Sequence, residues 1–252
     1  MKSHRSIRSY KSDPIPEDVI EQVLHEAVMG ASSSGNLNSV TMVLTRDEDR
    51  KRVLWETHGE QDMILQAPLL VTFCADWWRT REWLRLRDAK DNFNNFLGFE
   101  VASYDAMILA QNVCLGFQNH GLGICYMGTT LFAMKEISEF LELPETCAPI
   151  TTIVVGYPAE DPAKRDRLPL KAFVHDERYR LPDVDEIEET YKVREVKGWE
   201  RYMSMPGLRE MAAEHGITTL AQFYTSEIKY DPKFFEEVSK ETFEFLKSKK
   251  FL

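Results

Sequence analysis

The sequence predicts a protein of mixed α and β structure in which helices pack against a sheet. Residues 68–75 and 150–158 are almost wholly apolar and rich in β-forming side chains, which indicates strands buried on both faces. Between them, residues 101–119 are mainly apolar over the length of a long helix. Because helical and strand-like segments also alternate before and after these stretches, the chain is predicted to be a mixed α/β protein built as helices packed on a sheet.

The composition indicates a packed core and argues against some classes of binding partner. The chain has 252 residues, enough for one large domain or for a domain with an appendage. A hydrophobic fraction of 43% with 11% aromatics predicts a packed core rather than disorder. The net charge of −10 and the pI near 5.2 argue against a nucleic acid or an anionic membrane surface as the main partner.

The cysteines indicate the compartment. Cys74, Cys114, Cys125 and Cys147 stand in apolar settings without a Cys-x-x-Cys pair. This pattern predicts reduced, buried thiols in a cytoplasmic protein rather than disulfides or a metal site. The polar N-terminus and the absence of an apolar run of about 18 residues predict neither a signal peptide nor a membrane span.

The first elements are predicted in the following order. Proline and acidic residues at 13–18 suit a helix entrance, and residues 19–28 carry apolar side chains at helical spacing. The small, polar residues 30–36 predict a loop that can approach a polar ligand closely, with a simple flexible connection as the alternative. A strand at 40–44 and a charged helix through about Trp55 follow.

The second half of the core is predicted around the long helix. Residues 77–96 mix aromatics with many charges and predict a partly exposed helical excursion, either a lid or a partner contact. The apolar helix at 101–119 is either the centre of the domain or the seam of an oligomer, and the glycines at 121–123 end it. A short strand at 124–130, which ends in a turn of small residues, and a short helix at 133–141 come next.

The C-terminal third differs in composition. Residues 181–252 are rich in Glu and Lys and helical in pattern, with a last amphipathic helix whose aromatic face must be buried. We therefore predict two parts: a main domain at 1–180, and a helical extension at 181–252 that packs on the core or on a partner subunit.

A basic stretch near the N-terminus is the first candidate for ligand binding. Residues 4–10 read His-Arg-Ser-Ile-Arg-Ser-Tyr and combine two guanidiniums, an imidazole and hydroxyls. Such donors suit the phosphate of one small anionic ligand, although a basic tail in solvent is the alternative. A second basic cluster follows the last strand at 164–167.

Several common cofactor and catalytic signatures are missing. No Gly-x-Gly-x-x-Gly follows the first strand, so a classical dinucleotide-binding fold has no support. The sequence also lacks a nucleoside-triphosphate loop, Gly-x-Ser-x-Gly and His-Glu-x-x-His. No internal repeat is visible.

Four segments, taken in order, resemble the FMN-dependent nitroreductase family across residues 2–180. Residues 4–10 resemble its opening Arg-Arg-Ser-x-Arg-x-Phe, and residues 31–38 are similar to its Ala-Pro-Ser-x-Gly-Asn-x-Gln loop. Residues 104–128 resemble its long central helix and following strand, and residues 165–175 its closing phosphate-binding segment. The resemblance implies the α+β fold class, with a three-layer α-β-α sandwich around a central mixed, mostly antiparallel sheet. It also implies a domain-swapped homodimer with FMN in clefts built from both chains.

The resemblance further implies a set of cofactor-binding residues. These are His4, Arg5, Ser6, Arg8, Ser32, Ser33, Ser34, Gln61, Met127, Gly128, Thr129, Arg165 and Arg167. Arg5 and Ser6 would hold the flavin phosphate and ribityl chain, with His4 beside them. Arg165 and Arg167 would close on the same phosphate.

The remaining residues would surround the flavin ring. Arg8 would lie near N1 and O2, where a guanidinium should raise the reduction potential. Residues 32–34 would line the ring, and residues 127–129 would pass behind it near N5. At the pyrimidine edge, where the family often has an Asn-Gln pair, this chain has Glu60 and Gln61, of which Gln61 is the predicted contact. A Glu60 carboxylate near O2 would oppose flavin reduction. The alternative is that Glu60 is a solvated loop residue.

The function implied is that of an NAD(P)H-dependent FMN oxidoreductase that reduces nitroaromatics, quinones or related electron-poor compounds by a ping-pong route. The flavin carries the chemistry, so no catalytic side chain and no metal are predicted. Two alternatives stay open. One is a specialised flavin reaction such as reductive dehalogenation, with residues 77–96 as a lid; the other is a flavin-binding sensor or carrier without NAD(P)H turnover.

Overall fold

A computed structural model describes residues 2–31 and 33–252. The strands are β1 (Val40–Thr45), β2 (Leu69–Asp76), β3 (Gly123–Met127) and β4 (Cys147–Gly156). The helices are α1 (Glu17–Met29), α2 (Glu48–Thr57), α3 (Met63–Gln66), α4 (Trp78–Arg85), α5 (Phe96–Asn119), α6 (Met134–Phe140), α7 (Val184–Met203), α8 (Leu208–Glu214), α9 (Leu220–Tyr224) and α10 (Pro232–Ser248). Short 3-10 helices span Gly128–Phe132 and Leu170–Ala172.

Within the described residues, the four strands form one antiparallel sheet in the order β1-β2-β4-β3. Val40 at the start of β1 pairs with Ala75 near the end of β2. Leu69 at the other end of β2 pairs with Val155 of β4. The predicted mixed sheet is therefore antiparallel in its strands, and its parallel part is an isolated bridge between Ser6 and Ile124.

The sheet is the middle of three layers. Every residue of β2 is buried, which confirms the prediction of a strand covered on both faces. Val71 and Phe73 belong to a core shared with α1 and α5, whereas Leu70 and Cys74 belong to a second core shared with α2, α3 and α6. Because successive side chains of a strand point to opposite faces, this alternation requires helices on both sides of the sheet.

A bulge in β4 changes which face its residues take. Phe73 of β2 pairs with Thr151, but the next residue, Cys74, pairs with Pro149, so Ile150 is extra. As a result Ile150 and Ile153 lie in the same core, although residues three apart in a regular strand face opposite ways.

The long helix was predicted from residue 101 and begins at Phe96. Asn95 caps it, since its side-chain oxygen accepts a hydrogen bond from the Gly98 N–H at 3.0 Å. Its small residues, such as Ala106, face the core. On the opposite side, Leu97 and Tyr104 are more than half exposed. The helix is therefore central to the domain and also presents an apolar outer face.

The short strand predicted from residue 124 ends in a turn of small residues, as expected. β3 stops at Met127, and the chain enters a 3-10 helix in which the Thr130 hydroxyl donates to the Met127 carbonyl at 2.9 Å. The helical prediction for residues 77–96 needs correction. In the 77–96 excursion, only Trp78–Arg85 is helical before Phe96. Its first residue, Trp77, is fully buried and stacks on Phe93 at 4.1 Å between ring centroids. Its role as a lid stays a prediction.

The chain divides into two compact units. The first is Met1–Ala163 together with Lys240–Leu252, and the second is Lys164–Ser239. In the first unit, Phe245 and Phe251 lie in the core with α1 and α5, and the Thr146 N–H donates to the Lys249 carbonyl at 2.8 Å. The second unit has its own small core of Met203, Ala212, Leu220 and Phe223. The domain boundary at residue 180 stays a prediction.

The four cysteines are buried thiols. None of the helices described has both the length and the apolar character that crossing a bilayer requires. The cytoplasmic location stays a prediction.

Candidate functional site

The basic stretch at 4–10 lies beside β3 at the edge of the sheet. Ser6 forms a parallel bridge with Ile124, and the Ile7 N–H donates to the Ile124 carbonyl at 3.0 Å. Gly123 permits this approach, since a Cβ there would lie 2.6 Å from Cγ1 of Ile7. Tyr10 ends the stretch and is buried, with its hydroxyl donating to the Ile7 carbonyl at 2.7 Å. Burial raises the pKa of Tyr10 far above its usual value.

The cationic side chains of this stretch have different surroundings. His4 Nδ1 lies 2.7 Å from Nε2 of Gln118 in the last turns of α5. The Arg5 guanidinium is one-third exposed and pairs with Asp161, at 2.7 Å between Nη2 and Oδ1. Arg8 is exposed, and its guanidinium has neither an ion pair nor a hydrogen bond with any residue in 2–31 or 33–252.

The segment after β4 contacts the backbone of the same stretch. Glu160 Oε1 accepts hydrogen bonds from the backbone N–H groups of Arg8 and Ser9. The Pro162 carbonyl accepts from Nη1 of Arg5 at 3.3 Å. Residues 160–162 therefore fix the position of the basic stretch. Glu160 and Asp161 were not predicted from the sequence, in which their only signal is their position just ahead of the second basic cluster.

The Ser/Gly loop, residues 30–38, is attached to α5 by one buried carboxylate. Asp105 Oδ1 accepts from the N–H and the hydroxyl of Ser33, at 2.7 and 2.6 Å. Its Oδ2 accepts from the N–H and the hydroxyl of Ser39, at 3.2 and 2.8 Å. Asp105 and Ser39 are fully buried. Ser34 is half-buried, and its carbonyl accepts from the Leu37 N–H at 3.1 Å. The predicted contact Ser32 lies outside the described residues.

Asp105 is a site residue that the sequence analysis did not single out. The available signal was an acid in the middle of an apolar helix, which is costly unless its lone pairs are satisfied. Because both donors of Ser33 are taken by Asp105, the Ser33 hydroxyl retains only lone pairs for a ligand.

The end of β3 forms a second group of predicted residues. Met127 is buried, while Gly128 is exposed and a Cβ on it would meet nothing within 4 Å. Thr129 is half-buried and lies beside the turn between α2 and α3. Its hydroxyl is 2.7 Å from Nδ1 of His58 and 3.5 Å from Nε2 of Gln61. The fold thus brings Gln61 and Thr129 together, as a cofactor site requires.

The orientation of the Gln61 amide follows from its partners. Nε2 donates to the His58 carbonyl at 2.8 Å, so the side-chain oxygen is the end left without a partner among the described residues. Glu60 is exposed, has a positive φ of 56° and donates its N–H to the Trp55 carbonyl at 2.8 Å. This arrangement favours Gln61 over Glu60 as a ligand contact.

His58 is a further residue of this region that was not predicted from the sequence. It is fully buried, and its Nε2 has no hydrogen-bond partner within 2–31 and 33–252. Burial lowers the pKa of His58 from its usual 6.5 to about 4, so the imidazole is neutral at physiological pH. No local sequence pattern marks it, since its contact to Thr129 joins positions far apart along the chain.

The basic stretch and the Ser/Gly loop lie at opposite ends of the sheet. The Ser39 carbonyl accepts a hydrogen bond from the Asp76 N–H, so the loop lies at the end of β2 that contains Asp76. Ile124, which forms the bridge with Ser6, pairs with Val155 of β4, and Val155 pairs with Leu69 at the other end of β2. Asp76 lies seven positions after Leu69, so the two sites are about 20 Å apart along the strands. In addition, β1 and β3 are opposite edges of the sheet. Within one chain, the Ser/Gly loop and the basic stretch do not share a cleft.

The last two predicted residues lie in the second unit. Arg165 and Arg167 are both exposed, and Nη1 of Arg167 donates to the Arg165 carbonyl at 3.3 Å. Between them, Asp166 pairs with Lys197 of α7 at 2.6 Å.

Known proteins similar to this chain agree with the resemblance seen in its motifs. The Nitroreductase family model matches residues 1–157. The FMN reductase (NAD(P)H) of Bacillus subtilis (strain 168) is 33% identical over 239 residues, which cover 86% of this chain and 96% of that relative.

Two solved structures extend the comparison to the fold. A crystal structure of an oxidoreductase candidate from Bacteroides fragilis NCTC 9343 superimposes with a TM-score of 0.89 at 33% identity, covering 100% of both chains. The NADPH:FMN oxidoreductase of Vibrio harveyi complexed with NAD+ gives a TM-score of 0.69 at 26% identity, covering 86% of this chain and 90% of that one. The family match spans more than half of the sequence, and the fold agrees with it. This chain belongs to the nitroreductase family.

Proposed function

We propose that this protein is an FMN-dependent oxidoreductase that uses NAD(P)H to reduce an electron-poor acceptor such as a nitroaromatic or a quinone. The observation that carries the proposal is the 33% identity to an NAD(P)H-dependent FMN reductase over 96% of that relative's length. The nitroreductase fold and the layout of the candidate residues support it.

The basic stretch fits the phosphate end of FMN. A flavin phosphate is an anion, and Arg5 presents a guanidinium to it, with Ser6 and His4 beside it. The Arg8 guanidinium has no ion pair among the described residues, so it is available to the flavin ring. The phosphate-binding role of Arg165 and Arg167, both exposed, stays a prediction from the family resemblance.

The group of residues around the end of β3 fits the polar edge of a flavin ring. Gln61 presents an unpartnered carbonyl oxygen, which would accept a hydrogen bond from the imide N–H of the ring. Gly128 leaves open space for a flat ligand to approach the backbone. The neutral His58 holds the Thr129 hydroxyl at this edge without adding charge to it.

The proposed role of this chain's residues is to bind FMN and to adjust its reduction potential, rather than to react with the substrate themselves. FMN, when bound, supplies the hydride transfer between NAD(P)H and the acceptor. The role of Arg8 is to stabilise the negative charge that a reduced flavin carries at N1 and O2. Gln61 and Thr129 orient the polar edge of the ring, and Asp105 holds the Ser/Gly loop in one conformation. No side chain is required as a nucleophile.

We also propose that the working form is a homodimer. The Ser/Gly loop and the basic stretch lie about 20 Å apart along the sheet, so a second chain would be needed to place one opposite the other. The outer face of α5 supports the same conclusion, since Leu97, Tyr104 and Met107 are 67%, 56% and 43% exposed there. A pair of α5 helices packed through this face would bury it and complete two equivalent clefts.

The visible spectrum of the purified chain tests the proposed function. We expect yellow protein, or protein that becomes yellow with added FMN, whose absorbance bleaches within seconds of anaerobic mixing with NADH or NADPH. Adding a quinone or a nitroaromatic should restore the colour. Double-reciprocal plots of initial rate against NAD(P)H, at several acceptor concentrations, should give the parallel lines of a ping-pong route. Colourless protein after FMN addition contradicts the proposal. Flavin that binds but does not bleach with either nucleotide would instead identify a flavin carrier.

A further inference from the structure

The guanidinium proposed for phosphate binding already has a carboxylate partner within its own chain. Nη2 of Arg5 lies 2.7 Å from Oδ1 of Asp161, and its Nη1 donates to the neighbouring Pro162 carbonyl. The Asp161 side chain is 80% exposed, whereas the Arg5 side chain is 33% exposed. Asp161 is therefore free to move away into solvent, but Arg5 is held in place.

The adjacent acid has a different contact. Glu160 accepts hydrogen bonds from the backbone N–H groups of Arg8 and Ser9 rather than pairing with a guanidinium. Its effect is to hold the basic stretch in position. Two neighbouring carboxylates of equal charge thus contact the same stretch in different ways. Asp161 forms an ion pair with the guanidinium proposed to bind the phosphate, whereas Glu160 holds the backbone of the stretch in position.

We propose that Asp161 lowers the affinity of the protein for phosphate-bearing flavins by competing with the ligand phosphate for Arg5. This inference rests on the proposed FMN function. A phosphate that binds Arg5 must either displace Asp161 from the guanidinium, which costs the ion pair, or share the guanidinium with it, and a carboxylate left nearby repels the dianion. Removing the carboxylate eliminates both costs, so the flavin should bind more tightly. Asp161 then sets how readily the protein exchanges FMN with solution.

The test compares two charge-neutralising variants of the full chain. Flavin-depleted wild type, Asp161→Asn and Glu160→Gln are titrated with FMN at low ionic strength, with flavin fluorescence as the readout. For an exposed ion pair, we expect Asp161→Asn to lower the Kd for FMN by about two- to fivefold. Glu160→Gln removes the same charge one residue away but leaves Arg5 paired, so it should bind FMN no more tightly than wild type.

Riboflavin, which lacks the phosphate, is the second control. Its affinity should be the same for wild type and Asp161→Asn, because the proposed competition requires a phosphate. Equal tightening by both variants would mean that general electrostatics rather than the ion pair is responsible, and would overturn the inference. An unchanged or weaker Kd for Asp161→Asn would also overturn it. Wild-type protein that binds no FMN at all would instead refute the proposed function on which the inference rests.

Discussion

Asp105 on α5 accepts two hydrogen bonds from Ser33, one from its backbone N–H at 2.7 Å and one from its hydroxyl at 2.6 Å. With the matching pair from Ser39, one buried carboxylate receives four donors and holds both ends of the Ser/Gly loop. The loop could have been a flexible connection. Its attachment to the longest helix of the first unit gives it a defined conformation.

Substituting Asp105→Asn should destabilise the protein by about 3 kcal/mol, although the side chain keeps its shape. The amide must turn an NH2 group toward donors that previously met a carboxylate oxygen, so buried N–H and O–H groups lose their acceptor. Urea unfolding followed by circular dichroism measures the loss. The loop should also become more sensitive to proteolysis in the folded protein.

Ser103→Ala on the same helix is the matched control. The Ser103 hydroxyl donates to the Phe99 carbonyl within α5 at 2.8 Å, and its removal should cost no more than about 1 kcal/mol. Equal effects of the two substitutions would show that Asp105 has no special role in holding the loop.

His58 should make the stability of the protein depend on pH. Its pKa is about 4 in the folded protein against the ordinary value of 6.5, so between these values the unfolded chain binds a proton that the folded chain does not. The contribution of neutral His58 is present above pH 6.5 and is lost as the pH falls toward 4. Between pH 7 and pH 5, the loss should be about 2 kcal/mol in the free energy of unfolding.

The measurement is the difference between wild type and His58→Gln, which removes the titrating ring while other groups still titrate. Urea midpoints should fall more steeply for wild type than for the variant between pH 7 and pH 5. The exposed His120→Gln serves as the control and should follow the wild-type curve. Parallel curves for wild type and His58→Gln would contradict the prediction.

A charge on the outer face of α5 should break the proposed homodimer. Met107 is 43% exposed in the single chain, and Met107→Glu would place a carboxylate in the expected interface. Light scattering should show a monomer, and FMN affinity should fall at least tenfold because each cleft would lose its second chain. Met211→Glu is the control: Met211 is 42% exposed, but it lies on α8 in the second unit. A Met107→Glu protein that stays dimeric would exclude this face.

Arg8 should raise the reduction potential of bound FMN. Neutralising it with Arg8→Gln removes a cation from the position proposed for N1 and O2, so the reduced flavin becomes less stable. We expect the two-electron midpoint potential to fall by about 20 mV or more, which corresponds to an interaction of about 1 kcal/mol. Redox titration with an indicator dye measures it. Arg52→Gln, an exposed arginine of α2, should leave the potential unchanged.

The secondary structure could be predicted where local physics decides it. The run at 68–75 is almost wholly apolar and rich in strand-forming residues, and the structure buries all of β2 from Leu69 to Asp76. The prediction was less accurate at element ends. Asn95 starts α5 earlier than its apolar pattern indicates, because a capping side chain rather than hydrophobicity sets the first turn. The 3-10 helix from Gly128 likewise depends on a side-chain hydrogen bond rather than on propensity.

The sequence by itself determined the ingredients of the site: a basic stretch, a small polar loop, a glycine after a short strand, and an apolar helix long enough to be central. The tertiary structure decided the partners. Asp105 meets Ser33, His58 meets Thr129 and Arg5 meets Asp161 only after the sheet has formed, since each pair is separated by 70 residues or more. Hydrogen bonds and ion pairs depend on distance in space, and nothing in the local pattern of a chain encodes which remote residue folding will place within 3 Å.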